Sequence, residues 1–185
     1  EVLPPFQIAF FRNIFGLAFL LPILIRSRFL ILRTKNIGLH VLRGLINLAV
    51  MLMFFTALSI TPLAKVTAIR FTAPIFMAVL AVLVLGERFR IYRWGAIFSG
   101  FIGMLIILRP GLIAIDKGAL LVTAGAALWA VAMIIIKIQS RTESSVTIVA
   151  YMGIFLGVFS IIPAYFVWQP FGLQTMGLLV LIGLS

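Results

Sequence analysis

The chain has 185 residues, of which 64% are hydrophobic and 10% charged, with no cysteine and a formal net charge of +11. A soluble domain is about half apolar and roughly a quarter charged, so this composition excludes a water-solvated fold and makes lipid the solvent for most of the chain. Without cysteine there is no disulfide, thiolate metal site or thiol nucleophile. The Lys and Arg residues fall in short bursts between apolar runs, not on one basic face, which argues against nucleic acid as a partner.

A helix crosses a bilayer core of roughly 30 Å with about 20 apolar residues. Runs at 6–25, 39–60, 63–85, 91–109, 117–137 and 145–168 meet that length, and 174–185 begins a seventh. The first run contains Arg12, Asn13 and Pro22 and ends in a basic stretch from Arg26 to Lys35. The second contains Asn47 and ends at Thr61-Pro62, where the third begins. That third run, expected as one helix, carries Thr67, Arg70 and Pro74 and closes at Gly86-Glu87. The fourth has small residues four apart at Gly95, Ser99 and Gly103, the fifth has Trp129, and the sixth has Gly153 and Gly157. Small residues at this spacing let helix backbones approach closely in lipid. Helices satisfy their own backbone in lipid and runs this long exclude barrel strands, so the fold class is an all-α polytopic membrane protein. Glu1 in place of Met, and an end at Ser185 inside an apolar run, predict a truncated chain with no signal peptide in view.

Orientation follows from the loop charges. One side of the predicted membrane collects Arg26, Arg28, Arg33, Lys35, Arg43, Arg88, Arg90, Arg93, Lys137 and Arg141; the other collects Lys65, Arg109 and Lys117. The first side is therefore cytoplasmic. Trp94 and Trp168 lie near opposite ends of their spans, where indole rings anchor at the interface. A faint repeat sets Ala9, Phe10, Gly16 and Pro22 against Ala150, Tyr151, Gly157 and Pro163. These runs are the first and sixth, predicted to cross in opposite directions, as in the inverted repeats of secondary transporters.

Residues 56–111 carry a more specific pattern. Thr56-Ala57-Leu58-Ser59 leads to an outer turn, a helix with Ala73-Pro74-Ile75-Phe76 follows, and Leu85-Gly86-Glu87-Arg88 closes it. The next helix runs from Trp94-Gly95 through Gly100 and Gly103 to Arg109-Pro110-Gly111. This resembles the end of an EamA domain of the drug/metabolite transporter superfamily. The resemblance implies ten helices in two inverted five-helix repeats, of which about seven are visible, numbers two to eight. Residues 1–111 would end the first repeat and 112–185 would begin the second, with Ala127-Leu128-Trp129-Ala130 in the second repeat's opening helix. It also implies a bacterial cytoplasmic (inner) membrane location and a small-molecule substrate of open identity.

Arg70 is the strongest site candidate. It lies seven residues into its run, where a lone arginine costs roughly 2.5–3.5 kcal/mol to insert. Thr67, Arg70 and Pro74 share one helical face, and Pro74 has no N–H to give the Arg70 carbonyl. Asn47 offers an amide for substrate or for a neighbouring helix, Trp129 an aromatic wall or a packing surface, and Arg12 a second cation that could instead snorkel. Glu87, at a cytoplasmic helix end beside Arg88, reads as an ion-pair partner, Lys137 as a positive-inside residue, and His40 receives no role.

No Walker loop and no Ser/His/Asp or metal-binding constellation is present, so the sequence predicts no enzyme and no cofactor. The expected function is a secondary transporter working by alternating access on a small, anionic or carboxylate-bearing metabolite. A lipid or lipid-linked carrier, a pore and a structural membrane subunit are the alternatives. The expected partners are that substrate and the bilayer, with a homodimer as an alternative to the monomer.

Overall fold

The computed structural model describes residues 5–26, 32–87, 91–108 and 117–166. The expected seventh span at 174–185, Trp168 and the Arg109-Pro110-Gly111 end of the motif lie outside them. Among the described residues the fold is all helical: α1 (Pro5–Arg26), α2 (Ile37–Ile60), α3 (Leu63–Arg70), α4 (Ala73–Leu85), α5 (Ile91–Leu108), α6 (Lys117–Gln139) and α7 (Ser145–Phe166). Four stretches, Ile37–Ile60, Leu63–Leu85, Lys117–Gln139 and Ser145–Pro163, are long and apolar enough to cross a membrane.

The third run differs from expectation, because its 23 residues hold two helices and not one. Pro74 cannot donate to the carbonyl four residues back. The backbone just before it tightens instead, with Phe71 N–H donating to the Ala68 carbonyl at 3.2 Å and Thr72 N–H to the Ile69 carbonyl at 2.9 Å. The Thr72 hydroxyl donates to the same Ile69 carbonyl at 2.7 Å, which holds the break in place. At its other end α4 closes on Gly86, whose φ of 65° lies in the left-handed region. There Gly86 N–H donates to the Val82 carbonyl and Glu87 N–H to the Ala81 carbonyl, both at 3.2 Å.

The distribution of side chains fits lipid as the solvent. Phe19, Leu83 and Phe166 are 67%, 74% and 80% exposed, whereas the largest fully buried side chains include Arg43, His40, Gln7 and Gln139. A protein in water would bury the first group and expose the second.

The chain divides into two compact units, Glu1–Leu48 with Ile138–Ser185, and Ala49–Lys137. Each draws on both predicted repeat segments. In the first unit α1 packs along α7. A Cβ built on Gly153 or Gly157 would lie 3.5 Å from Leu17 or Ile14 respectively, so this small-residue pair does face a helix closely. Gly44 of α2 approaches α7 more tightly still: its Cβ would be 2.7 Å from the Cβ of Phe155. A column of rings, His40, Tyr151, Phe155 and Phe159, stacks with successive centroid separations of 4.3, 5.9 and 5.7 Å.

In the second unit a core of Ala57, Val66, Ile69, Ala119 and Val122 is flanked by Phe54, Leu58 and Leu121. Gly118, in the first turn of α6, lies against the turn between α2 and α3; its Cβ would be 1.8 Å from the Thr61 hydroxyl oxygen. The small stripe on α5 behaves otherwise. Among the described residues nothing comes within 4 Å of a Cβ on Gly95 or Gly103.

Candidate functional site

Of the residues singled out from sequence, Thr67, Arg70, Pro74 and Trp129 belong to the second unit and Arg12 and Asn47 to the first. Thr67, Arg70 and Pro74 are all exposed, but the helix break divides them, with Thr67 and Arg70 on α3 and Pro74 in the first turn of α4. Arg70 is the last residue of α3, directly before the helix break, and its guanidinium carbon sits 4.5 Å from the centroid of the Phe54 ring. The guanidinium is thus exposed with the Phe54 ring against it, a cation–π arrangement. Trp129 and Asn47 are half-buried. Arg12 lies within α1; beside it, Asn13 has a buried amide nitrogen with no hydrogen-bond partner among the described residues. Neither unit by itself brings Arg12 or Asn47 to Arg70.

A second polar centre went unassigned in the sequence reading. In the first unit Arg43 Nη1 donates to Gln139 Oε1 at 3.0 Å and Arg43 Nη2 to the Ile148 carbonyl at 2.7 Å. Gln139 Nε2 approaches His40 Nδ1 at 3.0 Å, and His40 Nε2 approaches Glu143 Oε2 at 2.5 Å. An arginine can only donate, so its contact fixes the Gln139 oxygen, leaves the Gln139 nitrogen to donate to His40 Nδ1, and puts the imidazole proton on Nε2, facing the carboxylate. The other Glu143 oxygen accepts from the Thr34 hydroxyl. Around this array Tyr151 donates to the Leu32 carbonyl at 2.6 Å and Asn36 Nδ2 donates to the Thr142 hydroxyl at 3.3 Å. His40 and Arg43 are each 1% exposed and Gln139 is fully buried. Part of the signal was present in the spacing: His40 and Arg43, three apart, line one face of α2, whereas Glu143 lies in the turn between α6 and α7.

Glu87 forms its ion pair, with Lys137 of the same unit. Lys137 is thus more than a topology marker.

Over residues 1–109 the sequence matches the EamA-like transporter family. Together with the all-helical membrane fold, this match shows that the chain belongs to that family, a group of integral membrane transporters. It is 36% identical to a riboflavin transporter of Brucella anthropi over 83% of this chain and 54% of that protein. It is 33% identical to an S-adenosylmethionine uptake transporter of Rickettsia bellii over 97% of this chain and 62% of that protein. A pseudopaline exporter of Pseudomonas aeruginosa is 26% identical over 98% of this chain and 64% of that protein. The chain therefore spans between about half and two thirds of the length of these relatives. A crystal structure of a further protein, at 21% identity, superposes with a TM-score of 0.75 over the whole of this chain and 65% of that one, which concerns the fold alone.

Proposed function

We propose that this chain is part of a secondary transporter that moves a small metabolite across a bacterial inner membrane by alternating access. Its two inverted halves, represented here by 1–111 and 112–185, would rock about a site near the middle of the membrane. Arg70 carries this reading: it is an exposed cation at the break of a membrane-length stretch, resting on Phe54. Interrupted helices mark binding sites in transporters because they free backbone groups and helix ends for the ligand. An arginine there costs insertion energy that a purely structural role repays poorly.

The names of the relatives narrow the substrate class. Riboflavin and S-adenosylmethionine both join a planar nitrogen heterocycle to a polar chain, and the latter adds a carboxylate. Arg70 suits such a molecule, since a guanidinium pairs in its plane with a carboxylate or ring carbonyl and stacks through its face. Thr67 and Asn47 would add hydrogen bonds, Pro74 the opened backbone, Trp129 an aromatic wall and Arg12 a second cation. The relatives' names include both uptake and export, so direction is left to experiment.

The test is thermal unfolding of the intact transporter in detergent against riboflavin, S-adenosylmethionine and a set of organic anions, for the unaltered protein and Arg70→Ala. A ligand present at about 100 times its Kd stabilises by about 2.7 kcal/mol. Stabilisation of the unaltered protein alone supports both the carrier and the role of Arg70. Equal stabilisation of both removes Arg70 from the site. Silence across the set, together with no uptake into proteoliposomes, overturns the substrate class.

A further inference from the structure

We infer that the array Arg43–Gln139–His40–Glu143 is a gate on the cytoplasmic side of the transporter, closed in this structure and broken once in every transport cycle; this rests on the alternating-access reading above. The first observation is which parts of the chain the array joins. Thr34, His40 and Arg43 belong to the half that ends at residue 111, and Gln139, Glu143 and Ile148 to the half that begins at 112. Halves that rock against one another cannot keep these bonds throughout. The Lys137–Glu87 ion pair of the second unit joins the same two halves and lies at the same basic end of the spans.

The second observation is the chemistry of the join. Every link in the array uses a side chain, across 96 to 109 positions of sequence. The array is satisfied as a set: removing one member leaves a buried donor or acceptor unpaired, so intermediate separations are costly and two discrete states are favoured. Arg33, Lys35 and Arg141 are exposed beside it, at the side the loop charges assign to the cytoplasm. Once parted there, Arg43 and Glu143 exchange their bonds for water, which a pair at mid-membrane could not do. At the opposite end of the spans the join between halves is of another kind. Gly118 meets Thr61 sterically, and the Thr61 hydroxyl is buried without a hydrogen bond among the described residues.

The natural absence of cysteine allows a direct test. Asn47 lies one helical turn beyond Arg43 along α2 and serves as a single-cysteine reporter entered from the cytoplasmic side. Thr67→Cys, at an exposed position of α3, reports entry from the other side. Each is labelled with a membrane-impermeant maleimide in inside-out and right-side-out vesicles of the intact transporter, with and without Glu143→Ala. With the gate lost, labelling at position 47 from the cytoplasmic side should rise about tenfold, the effect of removing about 1.4 kcal/mol from the closed state, and labelling at position 67 from outside should fall. Glu143→Gln, which keeps an acceptor for His40, should give a smaller change in the same directions.

Unchanged rates overturn the gate, and so does a rise at both positions, which would mean that the array is packing whose loss loosens the protein. If Glu143→Ala fails to reach the membrane, Glu143→Gln carries the test alone, and equality with the unaltered protein overturns the proposal. Labelling needs no substrate. Failure of riboflavin or S-adenosylmethionine uptake therefore counts against the substrate class without touching the gate, and loss of reciprocity counts against the gate without touching the substrate.

Discussion

Arg43 and Gln139, 96 positions apart in sequence, meet at 3.0 Å in the interior of the first unit, with Arg43 Nη1 donating to Gln139 Oε1. Gln139 is the hinge of the array because it accepts from Arg43 and donates to His40. Gln139→Leu keeps the volume but removes both functions, leaving a guanidinium donor and an imidazole nitrogen unpaired. It should lower stability by about 2–3 kcal/mol, read from thermal unfolding in detergent. Gln139→Glu still accepts from Arg43, and should recover part of that loss. Equal stability of the leucine variant and the unaltered protein would show that the buried array contributes nothing net.

The glycines divide by what faces them. Gly44→Ala brings a methyl to 2.7 Å from Phe155 Cβ in the α7 ring column, and Gly118→Ala to 1.8 Å from the Thr61 hydroxyl oxygen. Neither obstacle is the far end of a long side chain, so α7 or the α2–α3 turn must move. Each substitution should cost about 1–3 kcal/mol of stability. Gly38, in the first turn of α2, meets nothing within 4 Å. There alanine should instead stabilise by about 0.5–1 kcal/mol through helix propensity. Thermal unfolding of the three single variants checks the sign as well as the size.

Arg70 and Phe54 separate stability from binding. Arg70 is exposed and its visible partner is a ring, so Arg70→Ala should change unfolding by no more than about 1 kcal/mol. If Arg70 contacts substrate, the same variant should weaken binding of an active ligand at least about tenfold, the loss of a charge-assisted contact of roughly 1.4 kcal/mol. Phe54→Leu, which removes the ring that holds the cation, should weaken it by about two- to fivefold. Titration calorimetry or uptake kinetics reads both. A large loss of stability with unaltered binding would make Arg70 a structural cation.

Topology can be read with single cysteines on described turns. Lys35 lies in the basic stretch before α2, and Leu63, 65% exposed, begins α3. Lys35→Cys should react with an impermeant maleimide from the cytoplasm and Leu63→Cys from outside. Reaction of both from one side would remove the alternation on which the inverted-repeat reading stands.

Much of this architecture was legible because the solvent is lipid. A helix is the one open-ended element that satisfies its backbone there. Run length and loop charge therefore located α1, α2, α5, α6 and α7 to within a few residues and predicted a direction for each. Pro74 was visible too, as was its missing N–H. Where the chain answers that loss was not, because the tightening at Phe71 and Thr72 depends on local hydrogen bonds that can form at several positions before a proline.

The sequence by itself determined the solvent, the helical class, the span positions and the family motifs, since each depends on residues close together in the chain. Tertiary structure alone decided the partners. His40, read in isolation, is a histidine beside a basic loop, and Glu143 an acid in a turn. Only the approach of α2 to the α6–α7 corner, permitted at Gly44 by the absence of a side chain, sets them 2.5 Å apart with Gln139 and Arg43 behind them. A single sequence carries no term for a hydrogen bond between positions 103 apart. Burial then turns that unremarked pair into a joint that the protein must either keep satisfied or open to water.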